Sequence, residues 1–280
     1  MTARALPESC SRLVPLHRGP LVGVDDWRCA GHDTPAGHEE VAADDCVVVT
    51  RRGAWELRVA GQAQLADPGT VVAWPRQLPS RVRHPVPGGD RCTLFRLTTD
   101  GARQLHPEGA ALSGLRPLDG PAYLQHLRAV ALARGGADPL AVEETALDFL
   151  ARVAAAPAGV APGSAAARRW VAGARELVAR EYRGRLTVAQ VARTVGASPF
   201  HLGRLFRAAT GTSLHRAVVR LRLREALERL RDEPTALSRI ALDTGFASHS
   251  HLTDAFRAEY GVAPRALRPP RYSAPPKTST

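Results

Sequence analysis

The sequence lacks the features of several large protein classes. No run of 18 apolar residues occurs, so a membrane-spanning helix is not expected. Residues 1–19 contain no apolar segment of the kind that signal peptides carry. The four cysteines, Cys10, Cys29, Cys46 and Cys92, are scattered and show no CxxC spacing. Scattered cysteines of this kind are usual in proteins of a reducing compartment. We therefore expect a cytoplasmic protein that does not enter a membrane.

Motifs of the common enzyme classes are also missing. The chain has no G-x-S-x-G element, no phosphate-binding loop and no paired catalytic carboxylates. The β-rich part places only His84 on or near an expected strand, so the His/His/Glu set of cupin enzymes is not expected. Cys29, His32 and His38 follow no strong metal-binding template. We predict no bound metal, no cofactor and no enzymatic activity.

Charge is divided unevenly along the 280 residues. Residues 1–163 have a net charge of −1, whereas residues 164–280 carry 20 Arg and one Lys against nine acidic residues, a net charge of +12. The length suggests two domains, and the apolar content of 44% is enough for two cores. A concentration of positive charge in one half is typical of a domain that binds a polyanion.

A short pattern occurs twice in the basic half, over residues 191–211 and again over residues 240–261. Each copy has an apolar segment with a central alanine, then a glycine, a serine and a second apolar stripe. The glycine permits the positive φ of a tight turn, and the serine is a favoured helix N-cap. Each copy therefore predicts a helix-turn-helix. Two copies in one basic segment favour DNA binding over ordinary helical hairpins.

The segment between the copies predicts a connecting helix over residues 213–232. Its buried stripe is formed by leucine and valine, while its arginines, Arg220, Arg222, Arg224, Arg229 and Arg231, lie mainly outside that stripe. A helix of this length spans roughly 28 Å. Successive major-groove faces of DNA recur every ~34 Å, so the helix could hold the two copies in adjacent turns.

The basic half resembles the AraC/XylS family of bacterial transcription regulators. The resemblance covers roughly residues 166–269, and its signature segments are 198–207, 211–213, 220–223, 240–252, 256–257 and 260–264. The first half is similar to the cupin-like sensor domain of the same family, through residues 67–69 and residues 84–93. The resemblance implies an α+β multidomain protein. A cupin-like β-barrel with following helices would precede an all-α domain with two helix-turn-helix motifs.

We expect the following domain organisation. The segments are a cupin-like barrel at 1–118, a helical dimerisation or packing segment at 119–156, a linker at 157–166, an AraC-type DNA-binding domain at 167–270 and a disordered tail at 271–280.

The resemblance also assigns base-reading positions. These are Phe200, Gly203 and Arg204 in the first copy, and His249, Ser250, Thr253 and Asp254 in the second. Gly203 of the first copy offers no side chain to DNA. Asp254 of the second copy is acidic and would repel phosphate, so we expect the second copy to bind DNA more weakly. Arg204 is then the residue expected to matter most. Arg204 could read guanine or contact phosphate. Phosphate contacts are expected from Arg207, Arg257, Ser198 and Ser248.

The first half offers fewer functional residues. Trp55, Arg58, Trp74 and His84 could line a ligand pocket, although packing explains the tryptophans equally well. The expected partners are double-stranded DNA, a small-molecule effector, a second copy in a homodimer, and RNA polymerase if the protein is an activator. Two alternatives stay open: a metal- or thiol-responsive regulator, and a cupin enzyme fused to a DNA-targeting module.

Overall fold

The computed structural model describes residues 11–31, 37–59, 61–106, 112–157 and 163–268. Its strands are β1 (Ser11–Arg18), β2 (Val22–Cys29), β3 (His38–Glu40), β4 (Asp45–Arg52), β5 (Trp55–Val59), β6 (Gln62–Ala66), β7 (Thr70–Trp74), β8 (Ser80–Arg83), β9 (Asp90–Leu97) and β10 (Gly114–Pro117). Its helices are α1 (Thr99–Leu105), α2 (Gly120–Arg134), α3 (Pro139–Ala155), α4 (Ala165–Glu181), α5 (Val188–Val195), α6 (Pro199–Thr210), α7 (Leu214–Asp232), α8 (Leu237–Asp243) and α9 (His249–Tyr260), followed by a 3₁₀ turn, Pro264–Leu267. Apart from α1, which precedes β10, the strands come first and the helices after them, which confirms the expected α+β layout.

The strands form two antiparallel sheets. The larger has the order β1-β2-β9-β4-β7-β10, and the smaller has the order β3-β8-β5-β6. Side chains alternate across a strand, so the central strand β4 serves two cores. Cys46 and Val48 pack with Trp55 and Leu57 of the smaller sheet. The odd-numbered valines of β4 belong to a second apolar cluster that includes residues of α2 and α3. A strand buried on both faces is continuously apolar, which explains the β-branched run in the sequence.

The helices after the sheets divide between two apolar clusters. The first copy, α5–α6, packs with α4 and the beginning of α7 in a cluster of its own. The second copy, α8–α9, belongs instead to the large cluster that includes Phe95 of β9, Tyr123 of α2 and Phe149 of α3. Of the described helices, none is long and apolar enough to cross a membrane.

Residues 31–40 look like a loop in the sequence, but the structure places a short strand at their end. His38–Glu40 is the short strand β3, which pairs with β8 in the register His38↔Val82. His84 is therefore not the sole residue of a His/His/Glu type on or near a strand, because His38 and Glu40 both lie on β3. A three-residue strand is too short to give a periodic signal. Within the expected linker, α4 already begins at Ala165, where the Ser164 side chain accepts a hydrogen bond from Ala167 N. The expected tail at 271–280 lies outside the described residues.

Candidate nucleic-acid interface

The helix ends of the first copy are capped at the start of α5, at the end of α5 and at the start of α6. Thr187 Oγ1 accepts a hydrogen bond from Gln190 N at 3.2 Å, and Gln190 Oε1 accepts one from Thr187 N at 2.9 Å. This reciprocal pair satisfies two of the unpaired donors at the start of α5. Gly196 ends α5 with φ at 74°, and the next helix begins at Pro199. Ser198 caps α6, because its Oγ accepts from His201 N at 3.2 Å.

The second copy also turns through a glycine, with one more residue between the glycine and the capping serine, and its first helix lacks a side-chain cap. Ala236 occupies the N-cap of α8 and makes no side-chain hydrogen bond. Gly245 has φ at 88°, and a Cβ at this position would lie 2.4 Å from the carbonyl oxygen of Arg183, so a larger residue does not fit. Ser248 repeats the cap of the first copy, since its Oγ accepts from His251 N at 3.1 Å.

Each copy packs its two helices through equivalent residues. Ala192 and Ala241 are fully buried at the crossings of the helices. Leu202 and Phe206 of α6 point inward, as do their counterparts in α9. His201 lies edge-on to Trp170, and His251 lies edge-on to Phe246, which gives both histidines a packing contact. With the inner faces occupied, the outer faces of α6 and α9 remain for a partner.

The outer face of α6 carries the residues expected to read bases. Phe200 is 76% exposed, and Arg204 is also exposed. The Arg204 guanidinium carbon lies 5.8 Å from the centroid of the Phe200 ring. A cation within about 6 Å of an aromatic ring centroid is attracted to the ring by about 0.5–1 kcal/mol at an exposed site. Gly203 is half-buried, and a Cβ there would meet nothing within 4 Å. The outer face of α6 is therefore flat around one positioned arginine.

The outer face of α9 has a different chemical character. His249, Ser250 and Asp254 are exposed, whereas Thr253 is half-buried. The Oγ1 atom of Thr253 is buried and makes no hydrogen bond to the described part of the chain. This face carries one acidic residue and no arginine at the expected base-reading positions.

Two arginines lie in the last turns of these helices. Arg207 of α6 and Arg257 of α9 are exposed. Within the described ranges, neither has a carboxylate within 4.0 Å, so their charges are not neutralised by the protein itself. By contrast, Arg220 of α7 pairs with Glu259 at 3.0 Å. Phosphate contacts from these two arginines stay a prediction, and a cation in the last turn also stabilises the C-terminal end of a helix.

The connecting helix α7 contains a buried polar network that the sequence did not indicate. Arg224, expected outside the buried stripe, is fully buried. Its guanidinium donates to the carbonyl oxygens of Pro68 at 3.2 Å, Leu118 at 3.0 Å and Asp119 at 2.9 Å. It also lies 3.8 Å from the centroid of the Tyr123 ring. The loops at Pro68 and at Leu118–Asp119, together with Tyr123 of α2, cover this side of α7. Arg224, which the helix pattern predicts to be exposed to solvent, therefore lies in a buried junction between the two halves of the chain.

Glu228, one turn further along α7, faces the larger sheet. Its Oε2 accepts hydrogen bonds from Arg51 Nη2 at 2.7 Å and Nε at 3.0 Å, and Tyr123 donates to Oε1 at 3.0 Å. Arg51 Nη1 also donates to Asp26 at 2.9 Å. Burial and the nearby Glu228 raise the pKa of Tyr123 well above its ordinary value, so its hydroxyl stays a donor. A signal was present: four leucines, Leu221, Leu223, Leu227 and Leu230, cover more than one face of α7.

The predicted ligand-pocket residues do not all meet. Trp55, Trp74 and His84 line one cavity of about 70 Å³ between the sheets. Arg58 does not line it, because side chains alternate along β5 and Arg58 lies on the other face, where it pairs with Glu56 at 3.1 Å.

Of the group Cys29, His32 and His38, His32 lies outside the described residues, while Cys29 and His38 both line this cavity. His84 Nε2 lies 2.7 Å from Asp90 Oδ2. Burial opposes the charged imidazole, but hydrogen bonds to Asp90 and Cys29 outweigh it and raise the pKa of His84 to about 10.

Comparison with known proteins agrees with the two-copy geometry. Residues 191–269 match the family model described as "Helix-turn-helix domain". Over 78 residues the chain is 40% identical to the HTH-type transcriptional regulator GlxA of Rhizobium meliloti (strain 1021). That match covers 28% of this chain and 24% of the relative. The C-terminal region is thus a helix-turn-helix domain of the AraC type, as expected from its sequence. The cupin-like assignment of the first half stays a prediction.

Similar solved structures include proteins from two bacteria. A transcriptional regulator with an AraC-type DNA-binding domain, from Chromobacterium violaceum, is 28% identical with a TM-score of 0.35, over 38% of this chain and 94% of that chain. ToxT from Vibrio cholerae is 11% identical with a TM-score of 0.35, over 89% of this chain and 98% of that chain. TM-scores of this size do not establish a shared overall fold.

Proposed function

We propose that this protein is a sequence-specific DNA-binding transcription regulator. The observation that carries the proposal is the pair of capped helices, α6 and α9, whose inner faces are packed alike and whose outer faces are exposed. They belong to a half of the chain with a net charge of +12. Helices of this kind enter the major groove of DNA with their N-terminal residues on base edges. The 19 residues of α7 between the copies match the length expected for binding in adjacent turns.

The two copies would contribute unequally. In the first, Arg204 offers a guanidinium that can donate two hydrogen bonds to guanine, with Phe200 beside it. In the second, Asp254 can accept from cytosine but repels phosphate. Phosphate contacts from Arg207, Arg257 and the serine caps would orient the domain without carrying sequence information. The first copy therefore supplies most of the base recognition in this proposal.

The experiment is selection of a binding site from genomic DNA, followed by mobility-shift titration of the full chain. Arg204→Ala should weaken binding to the selected site by about 1–3 kcal/mol, with a much smaller effect on unrelated DNA. Arg103→Ala is the matched control, because it removes the same charge from an exposed position on α1. Equal losses on selected and unrelated DNA would make Arg204 a phosphate contact. Selection of no sequence at all would refute the proposal.

In this proposal the first half regulates the second and is not an enzyme. A cavity of about 240 Å³ lies between Thr70 and Leu115 on one side and Phe206 and Leu221 on the other. Pockets for small organic ligands are usually about 300–1,000 Å³, so this junction suits an effector better than the 70 Å³ cavity between the sheets. A homodimer, and RNA polymerase if the protein activates, complete the proposed partners. Because the DNA target is chromosomal, the protein would act in the cytoplasm.

A further inference from the structure

Three potential metal ligands converge at one end of the cavity between the sheets. A ligand atom from each of Cys29, His84 and Asp90 lies within 4.8 Å of the other two. The residue Cys29 is 6% exposed, and the side chains of His84 and Asp90 are 6% and 3% exposed. The three positions are too widely separated in sequence to form a spacing motif. Their convergence is a property of the fold.

The sheet register and two glycines produce this convergence. Cys29 ends β2 and Asp90 begins β9, and the two residues face each other in the antiparallel pair. Gly89 has φ at 67°, and a Cβ there would lie 2.0 Å from the carbonyl oxygen of Cys29. Gly31 has a positive φ and approaches Gly89 from the opposite strand. His84 comes from the other sheet, just after β8, so the group joins both sheets.

We propose that Cys29 Sγ, an imidazole nitrogen of His84 and a carboxylate oxygen of Asp90 bind a Zn²⁺ ion. Thiolate, imidazole and carboxylate are the three ligand types that zinc takes from proteins. A thiolate among them disfavours Mg²⁺ and Ca²⁺, which prefer oxygen ligands alone. Three protein ligands leave the fourth tetrahedral position for water or a small ligand.

The surroundings fit an ion better than an organic molecule. The cavity of about 70 Å³ beside the three residues is lined by His38 and Glu40 as well as by Trp55 and Trp74. His38 Nε2 lies 3.4 Å from Glu40 Oε2. This second polar pair lines the same cavity as the three proposed ligands, where it would hold a metal-bound water. Such a volume admits a water molecule, whose share of liquid volume is about 30 Å³, but not a typical metabolite.

Metal binding requires one small rearrangement. His84 and Asp90 are 2.7 Å apart in the structure, whereas neighbouring ligands of a tetrahedral zinc ion are about 3.4 Å apart, given zinc–nitrogen distances of about 2.0–2.1 Å. The competing explanation is that the three residues form only a buried hydrogen-bonded ion pair that stabilises the fold. The two explanations differ in whether the protein takes up metal through a thiolate.

The test uses the full chain without a histidine tag, dialysed against chelator and titrated with Zn²⁺ at pH 8, because metal ligands bind in their deprotonated forms. We expect one zinc ion per chain by elemental analysis. Titration with Co²⁺ should produce the absorption band of a thiolate-to-cobalt charge transfer. Absence of that band in the unaltered protein would overturn the proposal without recourse to any variant.

Variants locate the ion. Cys29→Ser and Asp90→Asn should each reduce Zn²⁺ affinity at least tenfold, and Cys29→Ser should abolish the cobalt–thiolate band. Cys46→Ser is the matched control, since Cys46 is also a buried cysteine of the larger sheet but does not line the cavity. Full retention of stoichiometry, affinity and the cobalt band in Cys29→Ser would place the metal elsewhere and refute the site.

Discussion

The two helix-turn-helix copies differ more in their attachment than in their own structure. Both have a buried alanine at the helix crossing, a glycine turn and a serine cap. The first copy packs within a cluster made only of α4 to α7 residues. The second copy shares its cluster with the larger sheet, α2 and α3. At Gly120 of α2 a Cβ would lie 2.1 Å from the carbonyl oxygen of Glu259, so α2 and α9 are in close backbone contact.

This difference concerns how each copy depends on the first half of the chain. The first copy has the exposed arginine and the intact capping box, and its apolar cluster contains no residue of the first half, although Arg175 of α4 pairs with Asp67 at 2.8 Å. The second copy has an acidic outer face and an uncapped first helix, and it depends on the sheet region for its packing. The first half therefore meets the second copy through a shared apolar core, and it meets the first copy across the cavity beside Phe206.

The largest expected effect comes from breaking the junction. Glu228→Ala leaves Arg51 buried without its main partner, and losing one member of a buried pair costs about 3–5 kcal/mol. We expect hydrogen exchange to accelerate in α8–α9 much more than in α5–α6. The measurement is urea unfolding of the full chain combined with exchange mass spectrometry.

Glu233→Ala is the control for this experiment, because Glu233 pairs with the same helix at a half-exposed position and should cost less than about 1 kcal/mol. The double variant Arg51→Leu/Glu228→Leu removes both charges and should recover much of the loss. Equal acceleration of exchange in both copies would contradict the proposed difference in attachment.

A smaller effect is expected from acid. Burial, with the charges of Arg51 and Arg224, lowers the pKa of His126 well below its ordinary value, so this residue stays neutral in the folded protein. The unfolded chain takes up a proton near pH 6.5, and stability is therefore lost as the pH falls through 6.5. The loss from this group is at most about 1.4 kcal/mol per pH unit.

His126→Gln should remove that part of the pH dependence, as measured by urea unfolding between pH 7.5 and pH 5. His126 lies on α2 between the rings of Tyr123 and Phe149, in the cluster that supports the second copy. His215→Gln, at an exposed position on α7, should leave the slope unchanged. The same slope in the His126 variant and the unaltered protein would refute this assignment.

The smallest effects concern the helix caps. Thr187→Ala should destabilise α5 by about 1 kcal/mol, while Ala236→Ser should stabilise α8 by a few tenths to about 1 kcal/mol. The measurements are thermal unfolding and local hydrogen exchange. Thr194→Ala, further along α5, is the control, because its hydroxyl bonds only to a carbonyl oxygen within the helix. If Thr187→Ala and Thr194→Ala were equally harmful, the capping box would not be the cause.

Local patterns predicted local structure well. The 3.6-residue periodicity, the serines and the glycines were enough to locate α6 and α9 with their caps. The β-branched runs indicated β4 and β7. The sequence carried only an indirect signal for the burial of Arg224 and Glu228, namely the leucines on more than one face of α7, because a charged residue beside a leucine stripe normally faces solvent and only tertiary packing reverses this. It could not show that Cys29, His84 and Asp90 meet, since strand register determines that contact.

The hydrogen bonds from Arg224 to three backbone carbonyl oxygens have a consequence for redesign. A guanidinium bound in this way recognises the course of the polypeptide and not the identity of the side chains along it. Substitution at positions 68, 118 or 119 therefore spares this contact as long as the main chain keeps its path, although Leu118 is also buried in the core and the Asp119 side chain caps α2. A chimera that receives this DNA-binding half would need three suitably placed carbonyl groups and an aromatic ring, whatever N-terminal region carries them.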